Sequence, residues 1–183
     1  TPALRAWMAI RASAPNGGGA SGPRGILLTA STLNAADGNI NFTAKGGTTG
    51  TTTNRGIEIN GSKLLTSGGG NISLTGAGGS KSNNYGVIVT AASKLQSAAG
   101  NVSITGAAGK ASTGTGIGML LDTTSTIVTT SGNIAISGTG STGATGAVTR
   151  ISTHRWHSHQ KRIVTGLAPF APVTGDNAIG PHG

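Results

Sequence analysis

The chain has 183 residues, of which 33 are glycine, 3% are aromatic and 9% are charged, and it contains no cysteine. These figures exclude a bulky aromatic core, an aromatic surface for stacking bases, disulfides and thiolate metal sites. The formal net charge of +9 reflects a scarcity of acids. The basic residues in the middle of the chain stand singly, which disfavours a specific nucleic-acid partner.

The arrangement of the glycines and apolar residues excludes two further classes. Glycine does not recur at every third position, so the chain is not a collagen. No apolar run approaches the roughly 18 residues of a membrane span. Residues 1–14 lack the apolar stretch of a signal peptide and do not begin with Met, which we interpret as typical of an internal fragment.

A repeat organises residues 8–150. The tripeptide Gly-Asn-Ile, or Gly-Asn-Val, recurs at intervals of 32, 30 and 32 residues. A degenerate earlier copy is predicted near Met8, with Ile10 in the register of Ile40. A period of this length is typical of a solenoid. The four copies are Gly38-Asn39-Ile40, Gly70-Asn71-Ile72, Gly100-Asn101-Val102 and Gly132-Asn133-Ile134.

Each repeat unit predicts three short strands. In the unit that starts at Gly70, residues 71–75 alternate between apolar and polar, as in a strand with one buried face. A glycine-rich loop over residues 76–84 follows, then a second strand over 85–90 and a third over 94–97. The second-strand glycine precedes the next Gly-Asn by 14 residues in three units. The variation in length therefore lies in one loop on one side of the coil.

Stacked in this register, the units place apolar side chains in five inward columns with a spacing of about 4.8 Å. The pattern predicts an all-β fold: a parallel β-helix, or β-solenoid, of about five coils of 30–32 residues with three short strands each. The columns are Ile10, Ile40, Ile72, Val102 and Ile134; Ala12, Phe42, Leu74, Ile104 and Ile136; Ile26, Ile57, Val87 and Met119; Leu28, Ile59, Val89 and Leu121; and Leu33, Leu64, Leu95 and Ile127.

One asparagine is predicted at the same corner of every coil: Asn39, Asn71, Asn101 and Asn133. Amides stacked in register can form hydrogen bonds along the rod, so we expect a structural turn ladder with no role in ligand binding. The glycine before each asparagine is expected to adopt a positive φ at the bend.

Units of the form Gly-Asn-Ile-Ser-Leu-Thr-Gly, a Gly/Ser loop, Tyr-Gly-Val and a closing turn resemble the repeats of filamentous-haemagglutinin-type large exoproteins. The resemblance covers about residues 8–150. It implies a right-handed parallel β-helix, a secreted or bacterial cell-surface location, and a structural role in an adhesin that displays loops for attachment. It also implies unspecified receptors or glycans on host or neighbouring cells as partners. The family alone implies an outer-membrane partner of two-partner secretion, because no part of this sequence matches the secretion domain of such exoproteins.

No catalytic residue, cofactor or metal site is predicted, and the chain is not expected to be an enzyme. Asp37 lies at a corner, Glu58 points outward from a second strand, and Asp122 starts a turn. The three acids therefore occupy different positions in different coils. They are not expected to form the pair of carboxylates that glycoside hydrolases use. The alternative interpretation is a carbohydrate-binding or carbohydrate-cleaving β-helix, which would require acids of adjacent coils to converge in one cleft.

Two lysines, Lys63 and Lys94, occupy equivalent positions before the third-strand leucine. They predict a weak contact to a polyanion or glycan, although such charges also discourage lateral association of sheets.

The chain is expected to divide into three regions. Residues 1–7 are the N-terminal edge of a fragment, residues 8–150 hold the β-helix repeats, and residues 151–183 form an irregular or disordered basic tail. This tail contains all four histidines. The spacing of His154, His157 and His159 fits no metal site well.

Overall fold

The structure, a computed structural model, describes residues 8–13, 22–48, 54–80, 84–109, 116–141 and 162–165. The described residues are all-β and contain no helix, and so none that is long and apolar enough to cross a membrane. The strands are β1 (Met8–Ser13), β2 (Arg24–Thr29), β3 (Thr32–Asn34), β4 (Ile40–Lys45), β5 (Arg55–Asn60), β6 (Lys63–Thr66), β7 (Ile72–Ala77), β8 (Asn84–Thr90), β9 (Lys94–Ser97), β10 (Val102–Ala107), β11 (Gly116–Leu121), β12 (Thr126–Thr129), β13 (Ile134–Thr139) and β14 (Arg162–Thr165).

Successive strands belong to different sheets. The first sheet has the order β1-β4-β7-β10-β13, the second β2-β5-β8-β11, and the third β3-β6-β9-β12-β14. All pairs from β1 to β13 are parallel, and each joins a strand to the one three places further along the chain. We call three successive strands, one in each sheet, a coil. Stacked coils of this kind form a β-solenoid, which confirms the fold predicted by the repeat.

The number of coils differs from the prediction. The chain makes about three turns from β2 to β11, the two ends of the second sheet. β13 adds a further strand to the first sheet, but no described strand continues the second or third sheet in parallel. The predicted count of five coils is therefore wrong. Beyond β12 the third sheet is extended by β14, which pairs antiparallel and lies within residues 151–183.

The predicted inward columns are confirmed, except for the members contributed by β1. Their members pair in register and are buried or partly buried, so they form one continuous apolar core along the rod. Stacking neighbours at about 4.8 Å removes this apolar surface from water, which no single coil could do. Leu28 and Leu33 at one end of the core, and Ile134 and Ile136 at the other, are only partly buried.

The register predicted for β1 is wrong by two residues, whereas β2 and β3 of the same coil pair as predicted. Ile10 pairs with Phe42, and Met8 takes the position opposite Ile40. A shift of two residues keeps every side chain on the same face of a strand, because side chains alternate with a period of two. Apolar residues at both Met8 and Ile10 therefore satisfy either register.

The glycines before the corner asparagines do not have the expected positive φ. Gly61 is the described glycine with a positive φ, and Ala30, Ala36, Ala91 and Ala92 also adopt one. Glycine is required at the corner for a different reason. A Cβ on any of the later corner glycines would overlap the carbonyl oxygen of the glycine one coil earlier. The glycines affected are Gly70, Gly100 and Gly132.

Candidate functional site

Four long connections lie at one corner of the solenoid, between the first and second sheets. They are six to ten residues long, whereas the connections at the other two corners have two to five residues. Because both sheets are parallel, the strand ends that these connections join lie on the same side of the rod; residues 14–21, 49–53, 81–83 and 110–115 themselves lie outside the described part of the chain. We call these four connections the loop edge; none contains an acidic residue. They span residues 14–23, 46–54, 78–83 and 108–115.

The loop edge is narrow at its base because glycines let the backbones of two sheets approach closely. A Cβ on Gly86 would overlap the backbone nitrogen of Ala107 and the carbonyl oxygen of Gly118. A Cβ on Gly76 or Gly106 would likewise overlap a carbonyl oxygen of the second sheet. The strands are thus fixed at the base of each loop, while the length of the loop beyond it varies.

Described loop residues also form hydrogen bonds between coils. Asn54 is fully buried, and its Nδ2 donates to the carbonyl oxygen of Ser80 at 2.9 Å. The Ser80 hydroxyl donates to the carbonyl oxygen of Thr48 at the same distance. The bases of adjacent loops therefore hold each other in place.

An ion-pair cluster lies on the outward face of the second sheet, where the strands leave the loop edge. Arg24, Arg55 and Tyr85 stand in register on neighbouring strands. Glu58, three residues after Arg55, accepts hydrogen bonds from Arg24 Nε and from Arg55 Nη1. We call these four residues the basic–aromatic cluster.

Glu58 points away from the core as predicted, but it is neither solvated nor alone. Its side chain is only 6% exposed, because two guanidinium groups cover it. The sequence does contain a signal for this cluster. Arg24, Arg55 and Tyr85 each precede the glycine of a second strand, and the predicted columns included only the apolar positions.

The basic–aromatic cluster carries an excess of positive charge. Two guanidinium groups share one carboxylate, and the Arg24 and Arg55 side chains are 35% and 21% exposed. The Arg55 guanidinium lies over the Tyr85 ring, 5.8 Å from its centroid, at a distance that allows a cation–π contact. Arg55 Nε is buried and has no acceptor among the described residues, so it lies out of reach of a ligand. The guanidinium nitrogens that Glu58 does not bind, on these partly exposed side chains, are the donors left for an anion.

The structure places Lys63 and Lys94 side by side on the third sheet, away from this cluster. They are direct partners in the β6–β9 register, with Lys63 exposed and Lys94 half-buried. Like charges directly opposite each other in a sheet repel. An ammonium pair of this kind attracts anions without the planar geometry that selects a carboxylate.

The four predicted corner asparagines stack from coil to coil. The backbone N–H of each later asparagine donates to Oδ1 of the asparagine one coil earlier, at 2.7 to 2.8 Å. Between Asn71 and Asn39 the side-chain Nδ2 also donates, at 3.3 Å. The ladder is therefore mainly one of backbone donors and side-chain acceptors.

A second ladder, of serines, occupies the corner between the second and third sheets. The backbone N–H of Ser31, Ser62 and Ser93 each donates to the hydroxyl oxygen of the serine one coil later, at 3.0 to 3.1 Å. Ser62, Ser93 and Ser125 are fully buried. The apolar periodicity does not predict this ladder, although a serine precedes the third-strand apolar residue by two positions in each of the four coils.

The described carboxylates do not meet. Asp37 lies at the corner before the first sheet, Glu58 on the second sheet, and Asp122 in the turn between β11 and β12. Asp122 Oδ2 accepts the Ala91 backbone N–H at 2.7 Å. Burial opposes ionisation of Asp122, but hydrogen bonds from Ser125, Ala91 and Thr124 outweigh it and hold its pKa below the ordinary value.

No group of three or more His, Cys, Asp or Glu side chains that could hold a metal occurs in the described part of the chain. His154, His157 and His159 lie outside the described residues.

Comparison with known proteins found no match: no family model matches the chain, nor does any curated protein or solved structure.

Proposed function

We propose that this chain is a structural segment of a secreted or cell-surface bacterial adhesin, in which a right-handed β-solenoid displays the loop edge for attachment. One observation carries the proposal. The core columns stack in register, and the connections at two corners differ by no more than two residues between coils, whereas those at the third corner range from six to ten residues. Constant strands with variable loops on one side are typical of repeat proteins that use that side for binding.

The right hand of the solenoid is supported by a general property of parallel sheets. Connections between parallel strands of one sheet are right-handed in about 98% of cases, because strands have an intrinsic right-handed twist. Each turn of this chain makes such a connection in all three sheets. The likeness of the repeat to filamentous-haemagglutinin-type exoproteins supports the same hand, and also export through an outer-membrane secretion partner.

Attachment through the loop edge would be multivalent and would not involve catalysis. The loops consist mainly of Gly, Ser, Thr, Ala and Asn, so each offers a few hydrogen bonds and little apolar area. Successive loops are held about 4.8 Å apart at their bases by the strand spacing. Several weak contacts at fixed spacing then act together, since binding of one raises the effective concentration of the next. The partner in this proposal is a receptor or glycan on another cell.

A loop-shortening experiment tests this function. Residues 48–53 are replaced by Gly-Gly, which leaves β4, β5 and Asn54 intact. Beads coated with the wild-type or the shortened chain are then incubated with epithelial or bacterial cells, and attached beads are counted. We expect attachment of the shortened chain to fall at least fivefold, because contacts that act together are lost together.

The control is Thr105→Ala, on the exposed outward face of the first sheet. It should retain attachment within a factor of two, and circular dichroism should show the same strand content for all three proteins. Equal attachment of the shortened and wild-type chains would contradict a role for the loop edge. No attachment of the wild-type chain to either cell type would contradict the adhesin function itself.

A further inference from the structure

We propose that the basic–aromatic cluster binds a sugar that carries a carboxylate, such as a sialic or uronic acid. This inference rests on the proposed attachment function and names the class of ligand that the solenoid recognises. The cluster comprises Arg24, Arg55, Glu58 and Tyr85, at the point where three neighbouring strands leave the loop edge.

The donors in the cluster exceed what Glu58 accepts. Each guanidinium has five N–H donors, and Glu58 accepts one from Arg24 and one from Arg55. Arg24 and Arg55 are direct partners in the β2–β5 register, so their backbones lie about 4.8 Å apart. Their guanidinium groups converge on the two carboxylate oxygens of Glu58, and two partly exposed groups placed in this way can engage the two oxygens of one further carboxylate.

The charge of the cluster also favours an anion. One carboxylate neutralises only one of the two arginines, and the neighbouring connections over residues 46–54 and 78–83 contain no acid. Glu58 has a second effect, because it fixes one edge of each guanidinium group. A ligand therefore meets donors that are already oriented, and less side-chain entropy is lost on binding.

Tyr85 is the reason to infer a sugar, and not a simple anion, as the ligand of this cluster. It is half-buried on the same outward face, and of the two aromatic side chains that the structure describes, the other, Phe42, is buried in the core. The ring keeps Arg55 in place from 5.8 Å and provides apolar surface beside the donors. A sugar ring can place its C–H groups on this surface while its carboxylate meets the arginines.

The planar shape of the donors argues for a carboxylate at this cluster in preference to the lysine pair of the third sheet. Guanidinium groups form two parallel hydrogen bonds to a carboxylate, whereas an ammonium acts as a point charge. The two sites therefore make different predictions. Binding at Arg24 and Arg55 depends on the geometry of the donors, and attraction by Lys63 and Lys94 depends on charge alone.

The test measures binding of 3′-sialyllactose and of a glucuronate-containing disaccharide to the full chain by ligand-observed NMR, with neutral lactose as reference. Arg24→Lys keeps the charge and the partner of Glu58 but removes the planar fork, so affinity should fall at least tenfold. Tyr85→Leu keeps apolar volume but removes the aromatic ring, and affinity should fall about threefold to tenfold. Binding of either acidic sugar by the wild type supports the proposal and shows which acid is the source.

The matched control is the double variant Lys63→Gln/Lys94→Gln, which should bind the acidic sugars within a factor of two of wild type. Thermal unfolding of each variant separates loss of binding from loss of fold. The proposal is overturned if the wild type binds neither acidic sugar, or if Arg24→Lys binds as well as the wild type. It is also overturned if the lysine variant loses affinity as much as Arg24→Lys, since net charge would then explain the binding. If acidic sugars do not bind while wild-type beads still attach to cells, this inference fails and the attachment function stands.

Discussion

The tight corners of this solenoid and its loop edge hold neighbouring coils together through different contacts. At the corner before the first sheet and the corner before the third, a polar side chain of each coil bonds to the backbone of its neighbour, through Asn71 Oδ1 or Ser93 Oγ for example. At the loop edge, glycines such as Gly86 bring the backbones themselves together. Neighbouring coils are thus joined by side-chain ladders at two corners, and at the loop edge by close backbone contact together with the hydrogen bonds of Asn54 and Ser80.

This difference is reflected in how far the connections vary in length. The corner with the serine ladder lengthens from two residues to four along the rod and keeps its hydrogen bonds, so a ladder limits variation in length without excluding it. The glycine contact fixes only the base of a loop, and closing a longer loop costs little additional entropy. Three predictions test this division, in order of expected effect.

Substitution at the base of the loop edge should have the largest effect. Gly86→Ala would bring its Cβ into the backbones of Ala107 and Gly118, which cannot yield as a flexible side chain would. We expect the free energy of unfolding to fall by about 3 kcal/mol or the chain not to fold, as measured by urea denaturation. Gly69→Ala is the control, because its Cβ meets nothing within 4 Å. A small effect of Gly86→Ala would show that the glycine contact does not hold the base of the loop.

Removal of one ladder hydroxyl should have an intermediate effect. Ser93→Ala deprives the buried Ser62 N–H of its side-chain acceptor, whereas the Thr90 carbonyl oxygen, which also accepts from Ser93 Oγ, keeps its backbone donors. Leaving the Ser62 N–H unpaired should lower the free energy of unfolding by about 2 kcal/mol in urea denaturation. Ser103→Ala, on the exposed face of the first sheet, should change it by less than about 0.5 kcal/mol. Equal effects at the two serines would contradict a stabilising role for the ladder.

The smallest effect concerns the acid end of the pH range. The lowered pKa of Asp122 means that its ionised form stabilises the fold at pH values above the pKa of an unfolded aspartate, about 3.9. This contribution is lost as the pH falls through the lower pKa of the folded state. In Asp122→Asn the midpoint of thermal unfolding should therefore fall less between pH 5 and pH 2 than in the wild type. Asp37→Asn removes the same charge at another corner, and an identical change there would indicate a general charge effect.

The candidate binding residues show which neighbours a repeat pattern predicts and which it does not. Lys63 and Lys94 are predicted at equivalent positions of two repeats. They are neighbours in the structure because equivalent positions of successive coils lie directly beside each other in a sheet. The basic–aromatic cluster was not predicted, because Arg24, Arg55 and Tyr85 differ in chemistry at one repeated position. Periodicity finds residues that are alike, whereas this cluster depends on residues that are complementary.

The sequence by itself determined the period, the three strands of each coil, the inward columns and the corner that carries the loops. These features follow from the alternation of apolar and polar residues within each strand and from the spacing of the repeats along the chain. Only the tertiary structure decided the register of β1, the antiparallel pairing of β14 and the burial of Glu58 between two arginines. The physical reason is that each of these depends on contacts between different coils, where two arrangements satisfy the same local pattern and the packed neighbours select one.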